Sequence, residues 1–413
     1  MNAKSWLKRV AILTAAACLL VAGINYLVDP WGLNGTLVID GFNANKIDPL
    51  GTARLHKAYA VVRLRPSAVA MGTSTAEHGI DMRHPAWREF GTVYNLSFPG
   101  ATIGEIKAVL QQTHRISPLK RAVIGLDFFS FNAHIAPSPQ TGEAIEAMQS
   151  LPARIRPYFT RGMLAASFKT LSKQSGASRY FLPSGQSSRD SFVQWRAKSQ
   201  GHFNLFAFSC RQTVLRLLPN ADARFEFQRG SGPSTLEQFG ELLEFGKREG
   251  IELQFFISPD HAWQDETLSE MGLWPTFEYW KQQLARIIDP YTHAENSAPR
   301  MVLWDFADYT AATTEAVPAR GDVNAVMRWT WDGQHYTPEL GDLIQDRMSG
   351  LNSAAGALPD LFGFRLNADN VDAHLLEVRE HQQQYRATHA TTVAMVQGIV
   401  ARTLEKRRKK WIE

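Results

Sequence analysis

Cysteine is nearly absent: two residues in 413, one of which, Cys18, lies in an apolar run near the N-terminus, leaving Cys210 alone in the body. That excludes a disulfide scaffold and any cysteine-rich zinc or iron–sulfur module. There is no His-Glu-x-x-His, no Walker-type loop and no Gly-x-Gly-x-x-Gly, so metal, nucleotide and dinucleotide chemistry have no motif to rest on and no cofactor is expected. A strong excess of one charge is missing too. The net charge is +4, and Lys406 to Lys410 (KRRKK) alone supplies five positive charges, so the rest is near neutral and no nucleic-acid partner is expected. Hydrophobic residues at 44% against 20% charged exclude a disordered or coiled-coil chain, and no internal repeat is visible. A mean hydropathy of −0.24 confines membrane contact to local segments.

One such segment is present. Lys4, Lys8 and Arg9 precede Val10 to Val28, a run without charge in which only Thr14, Asn25 and Tyr26 are polar. At ~1.5 Å per residue in a helix, it matches the hydrocarbon thickness of a bilayer. The basic flank predicts a cytoplasmic stub and anchor over residues 1–28, with the remaining chain outside. The rival readings are a signal peptide cut near Ala15 to Ala17 or Ala22-Gly23, a lipoprotein site at Cys18 (disfavoured by Ala15), and a buried core helix. Asp29-Pro30-Trp31-Gly32 ends the run, because proline cannot continue a helix.

After it, five short apolar runs alternate with helical segments: Ser67 to Ser74, Thr92 to Phe98, Arg121 to Phe129, Leu253 to Pro259 and Met301 to Phe306. Runs apolar on both alternations suit strands covered on both faces, as in a parallel sheet. Thr102-Ile103-Gly104-Glu105 and Ser234-Thr235-Leu236-Glu237 are capping boxes, and Gly250 would end the second helix; Thr337-Pro338 opens a third. The expectation is an α/β domain over 29–350. From Asn132 to about Gly232 no clean strand occurs, and amphipathic stretches such as Gly162 to Leu171 and Leu205 to Leu218 suggest a helical insertion, a lid or a partner surface. The extension 351–413 reads as one long helix from about Asn370, with a basic end, Trp411 and Ile412 suited either to anionic headgroups or to a solvated tail.

Three stretches carry possible chemistry. Met71-Gly72-Thr73-Ser74-Thr75 puts a serine where the first strand turns into a helix, at the strand ends where ligands sit in open α/β sheets. Its simplest alternative is a helix cap. Asp332-Gly333-Gln334-His335, before a capped helix, lets a carboxylate hold one ring nitrogen and leave the other as a base; the alternative is a loop histidine with an incidental neighbour. Phe98-Pro99-Gly100 after the second strand is either a plain turn or a site where backbone N–H groups approach a substrate oxygen. His261, in Ser258-Pro259-Asp260-His261, ends the fourth strand and is a candidate substrate contact; His78, one turn after Ser74, is a rival base.

Serine after the first strand, glycine after the second and Asp-x-x-His before the last helix together resemble the SGNH/GDSL hydrolase superfamily, over about Ser67 to Arg347 without the insertion. The anchor makes the chain similar to that family's membrane-anchored envelope members, the DltD-like D-alanyl-transfer and alginate O-acetylation proteins. The resemblance implies a flavodoxin-like three-layer α/β/α fold with a parallel sheet of about five strands. It implies Ser74 as nucleophile, His335 as base, Asp332 as its orienter, and the N–H groups of Ser74 and Gly100 as oxyanion donors. Two positions depart from the pattern: Thr73 stands where the family has aspartate, and Asp127 takes the place of the oxyanion-hole asparagine, so either Asn132 or Ser130 reaches in, or two backbone donors suffice, or the hole is incomplete. Asp127 is then a substrate contact.

The implied function is a serine esterase or O-acyltransferase acting on acyl esters of cell-envelope glycan or glycolipid. It would sit in a bacterial inner membrane as a single-pass protein with its body in the periplasm or outside the cell. The other reading is an inactive relative that binds glycan or assists a membrane-bound acyltransferase partner.

Overall fold

The computed structural model describes residues 3–46, 50–174, 180–218, 225–292, 301–351 and 362–412, the side chains of 408–412 excepted. Its one sheet holds β1 (Ala68–Met71), β2 (Val93–Asn95), β3 (Arg121–Leu126), β4 (Glu252–Ile257), β5 (Val302–Asp305) and β6 (Phe364–Leu366), in the order β2-β1-β3-β4-β5-β6. The first five are parallel and fall on the five apolar runs; β6 pairs antiparallel with β5, so the sheet is mixed and six-stranded rather than parallel with about five. The short Phe364-Arg365-Leu366 run carries a central charge and lies in the extension, just before the segment expected to be helical from about Asn370. That segment is two helices, Val371–Thr388 and Ala390–Ile412, broken at His389. Side chains of the basic end beyond Arg407 lie outside the described residues.

The apolar strands are explained by cover on both faces. Phe255 points to one side, edge-on to Phe239 of the helix Thr235–Glu249 at 5.1 Å. Its neighbour Phe256 points to the other, joining Ala68, Ala70, Val123, Tyr336, Leu340 and Ile344 in a buried cluster. The predicted caps are present. Thr102 and Glu105 exchange bonds of 3.0 and 3.3 Å, Ser234 closes a full capping box, and Gly250 ends that helix with φ of 70°. Thr337 caps Pro338–Ser349. That helix meets Ser74–Gly79 at two glycines. A Cβ on Gly341 would lie 1.8 Å from the Gly79 carbonyl oxygen, and one on Gly79 would lie 1.8 Å from the Tyr336 ring.

By internal contacts the chain forms two units, one of Met1–Arg65, Gln112–Ser117 and Ser138–Leu182, the other of Pro66–Gln111, Pro118–Pro137 and Pro183–Glu413. The helical insertion is therefore shared: Pro139–Gln149 and Arg161–Ser172 belong to the first unit, Arg189–Lys198 and His202–Leu217 to the second. In the first unit the helix Ala3–Val28 is long and apolar enough to cross a membrane, with mean hydropathy 2.1 over an 18-residue window of which 6% is buried. Near its end Asn25 is fully buried, although Tyr26 and Leu27 beyond it are exposed. The Asn25 amide donates to Tyr158 O at 2.8 Å and accepts from Ser167 Oγ at 2.8 Å. Asp29, with φ of 47°, then turns the chain, and its Oδ1 accepts the Leu33 N–H at 2.7 Å.

Candidate active site

The site lies in the second unit, at the carboxyl ends of β1, β2 and β3. Gly72 leaves β1 with φ of 149°; a side chain there would press on Ala76 and on the Gly125 carbonyl. Thr73 caps the short helix, its Oγ1 accepting the Thr75 N–H, and Ser74 becomes the first helical residue. The Ser74 N–H has no acceptor among the described residues, as expected of a first-turn amide.

Ser74 Oγ–H donates to His335 Nε2 at 2.8 Å, and His335 Nδ1–H donates to the Asp332 carboxylate at 2.9 Å. A small hairpin makes this contact local. The Trp331 N–H donates to His335 O at 2.8 Å, Thr330 bridges Tyr336, and the chain between folds Asp332 back under the ring. Asp332 Oδ1 also accepts the N–H groups of Gln334 at 2.8 Å and His335 at 3.0 Å. Burial alone would raise the Asp332 carboxyl, but the adjacent His335 ring and these bonds outweigh it and hold it below the usual carboxylate range. An ionised Asp332 fixes the tautomer, leaving Nε2 free to take a proton.

The loop that carries Gly100 passes the turn that holds Ser74. Beyond β2, Leu96 N–H donates to Ala70 O at 2.7 Å and Phe98 N–H to Gly72 O at 3.0 Å, so the chain runs alongside β1 past the turn that holds Ser74. Gly100 follows with φ of 66°, partly exposed, and its N–H has no acceptor among the described residues. Two backbone donors without an acceptor among the described residues therefore lie on neighbouring loops, as candidates for holding a developing oxyanion.

The other expected residues behave differently. Asp127 does not face outward as a substrate ligand alone: its Oδ2 accepts from Thr73 Oγ1 at 2.6 Å and Thr75 Oγ1 at 3.0 Å, gripping the residues on either side of Ser74. Burial raises its carboxyl, with the hydroxyl donors opposing. Asn132 does not complete an oxyanion hole. Its Nδ2 donates to Leu217 O at 3.0 Å and its Oδ1 accepts the His134 N–H, so the amide secures the end of the helix His202–Leu217. Ser130 donates to Ala101 O. His261 is 1% exposed and is no substrate contact: Nδ1 caps the helix Ala262–Glu270 through the Trp263 N–H, and Nε2–H donates to Glu315 O at 2.8 Å. Burial lowers its pKa to about 4, keeping it neutral. The ring of His78 packs edge-on to His335 at 5.5 Å and to Phe192 at 4.3 Å.

Sequence reasoning missed an aromatic wall. Phe192 and Trp195, three residues apart on the helix Arg189–Lys198, lie 5.3 and 6.4 Å from the His335 ring, and Phe192 stacks on Trp331 at 5.2 Å. The only signal was an aromatic pair one turn apart in an otherwise polar segment.

No protein-family model and no curated protein matches this chain. Among the described residues no group of three or more His, Cys, Asp or Glu could hold a metal ion. The functional reading therefore rests on the geometry and on the resemblance of its motifs.

Proposed function

We propose that the chain is a membrane-anchored, SGNH-like serine esterase or O-acyltransferase acting on acyl esters of envelope glycan or glycolipid, with its body outside the cytoplasm. The observation that carries this is the unbroken relay from Ser74 Oγ through His335 to buried Asp332, at 2.8 and 2.9 Å. Ser74 Oγ attacks the acyl carbonyl carbon as its proton passes to His335 Nε2. The Ser74 and Gly100 N–H groups hold the oxyanion. Collapse breaks the ester bond, and His335 returns the proton to the departing alcohol oxygen. Water or a sugar hydroxyl then gives its proton to His335 and attacks the acyl-enzyme, and Ser74 leaves with that proton.

The test is labelling of the full chain with a fluorophosphonate, beside Ser74→Ala and His335→Ala. Labelling of the wild type that vanishes in the first variant and falls steeply in the second supports the reading. An unreactive wild type would leave a non-catalytic protein that binds glycan or assists a membrane acyltransferase.

A further inference from the structure

Two helices of the second unit, His202–Leu217 and Ala390–Ile412, carry matching stripes that take no part in the relay. Phe208, Arg211 and Leu215 recur at the spacing of one helix face, and Ile399, Arg402 and Lys406 repeat that spacing on the other helix. Their inner neighbours explain why the helices pair: Phe206 and Val214 meet Val396 and Val400 in one buried cluster. The two stripes are left lining an open groove of about 420 Å³. Arg407 spans it, donating to Val214 O and Leu215 O at 3.2 and 3.3 Å.

The groove is amphipathic. Phe208 and Leu215 are 39% and 44% exposed, and they stand on one strip of surface with Ile399 rather than singly. Around them Arg211, Arg402 and Lys406 are exposed, and among the described residues none of the three makes an ion pair or a hydrogen bond. No acidic side chain is among the described residues that line the groove.

Cations alone would suit any polyanion, but the exposed aliphatic surface of Leu215 gains nothing from one. The combination fits a molecule in which an anionic head is joined to acyl chains. A bilayer supplies such molecules, and the same chain has a helix, Ala3–Val28, long and apolar enough to cross one. The sequence that follows Arg407, Arg408-Lys409-Lys410-Trp411-Ile412, repeats the basic and apolar character. We propose that the groove between these two helices binds an anionic phospholipid, its phosphate among Arg211, Arg402 and Lys406 and the first carbons of its acyl chains on Phe208 and Leu215. Guanidinium–phosphate contacts are charge-assisted and belong to the strong class. Phe208 also packs edge-on to Trp195 at 6.0 Å, so the lipid lies beside the aromatic wall that borders His335.

The experiment titrates the full chain in a neutral detergent with dihexanoyl phosphatidylglycerol, read by thermal shift over a concentration series. The comparison probes are dihexanoyl phosphatidylcholine, glycerol 1-phosphate and polyglutamate: a lipid without net charge, a headgroup without chains and an acidic polypeptide. Phosphatidylglycerol is expected to bind at least about 10-fold more tightly than any of the three. The double variant Arg402→Gln/Lys406→Gln should weaken its binding about 30-fold, at about fivefold per cation near a lipid surface. Leu215→Ser should weaken it about 5–10-fold. All three side chains are exposed, so the melts of both variants without lipid should match the wild type. Lys247→Gln/Arg248→Gln, which removes two exposed cations of the helix Thr235–Glu249 outside the groove, should bind as the wild type does. No binding of phosphatidylglycerol, equal binding of the two lipids, glycerol 1-phosphate bound as tightly as the lipid, or an affinity unchanged in Arg402→Gln/Lys406→Gln would overturn the site. Polyglutamate bound most tightly would replace the lipid by an acidic protein. None of these readouts uses Ser74, so the lipid site stands or falls apart from the relay.

Discussion

Replacing Asp332 by asparagine separates orientation from bulk. Asp332 Oδ1 accepts two backbone N–H groups, from Gln334 and His335, at 2.8 and 3.0 Å. In the variant only the amide oxygen can satisfy them, so the NH₂ group must take the Oδ2 place, 2.9 Å from His335 Nδ1. Two donors cannot face each other; the imidazole must shift its proton to Nε2. That nitrogen then donates to Ser74 Oγ instead of accepting from it, and the base is lost although every heavy atom keeps its place. The corresponding change in a serine protease triad costs about 10⁴-fold, or about 5 kcal/mol of barrier.

Stability should fall far less, because the backbone bonds survive; exchanging a charged acceptor for a neutral one costs about 1–2 kcal/mol. A carboxyl depressed in the folded state contributes stability that is present above its unfolded pKa, about 3.9, and is lost as pH falls through the lower folded value. The stability gap between wild type and Asp332→Asn should therefore close below about pH 3.9. Ester turnover and fluorophosphonate rates measure the first effect, and thermal melts across pH measure the second. A variant keeping a tenth or more of the turnover would refute the tautomer argument, and a gap unchanged at acid pH would refute an ionised Asp332.

Three further perturbations test the scaffold. Gly341→Ala sets a methyl 1.8 Å from the Gly79 carbonyl oxygen, forcing apart the helices that begin with Ser74 and follow His335; a loss of about 1–3 kcal/mol in melts and a fall in labelling are expected. His261→Ala should cost about 1–2 kcal/mol through the lost helix cap and leave the pH profile of turnover unaltered, whereas a moved profile would show His261 titrating in the reaction. Asp265 is 2% exposed, has an unbonded Oδ1, and burial raises its carboxyl well above the usual range. Such a group withdraws stability as pH rises from about 3.9 toward the raised value, so Asp265→Asn should melt higher than wild type at neutral pH and about equally near pH 3.9. A lower melt at neutral pH would count against it.

The legible parts of this chain are those encoded over a few consecutive residues. Each apolar run became a strand because its alternate residues, such as Phe255 and Phe256, meet helices on opposite faces. Asp332 and His335 are close in sequence, and one hairpin brings them together. Ser74 joins them through long-range packing, but its place at a strand end was visible. What stayed hidden depends on distant partners. Phe364-Arg365-Leu366 is a strand because β5 offers it an edge, not through any alternation of its own. Asn132 seemed free for a substrate oxygen because nothing nearby announced that Leu217, far along the chain, would claim its amide. His261 looked functional by position, while its cap and its bond to Glu315 made it structural.

In the proposed reaction the relay is indifferent to what breaks the acyl-enzyme. His335 Nε2 would accept a proton from water and from a sugar hydroxyl by the same motion, so the outcome would turn on which of them is held against the ring. Phe192 and Trp195 bear on that choice, since they stand 5.3 and 6.4 Å from His335 and exchange solvent for flat apolar surface. Such a surface suits the C–H face of a sugar and gives water no hydrogen bond. These rings come from Arg189–Lys198, a segment whose composition resembles a surface loop more than a catalytic wall. Under the proposed function, the part of the chain that would select hydrolysis or transfer is thus the part least constrained by sheet and helix periodicity.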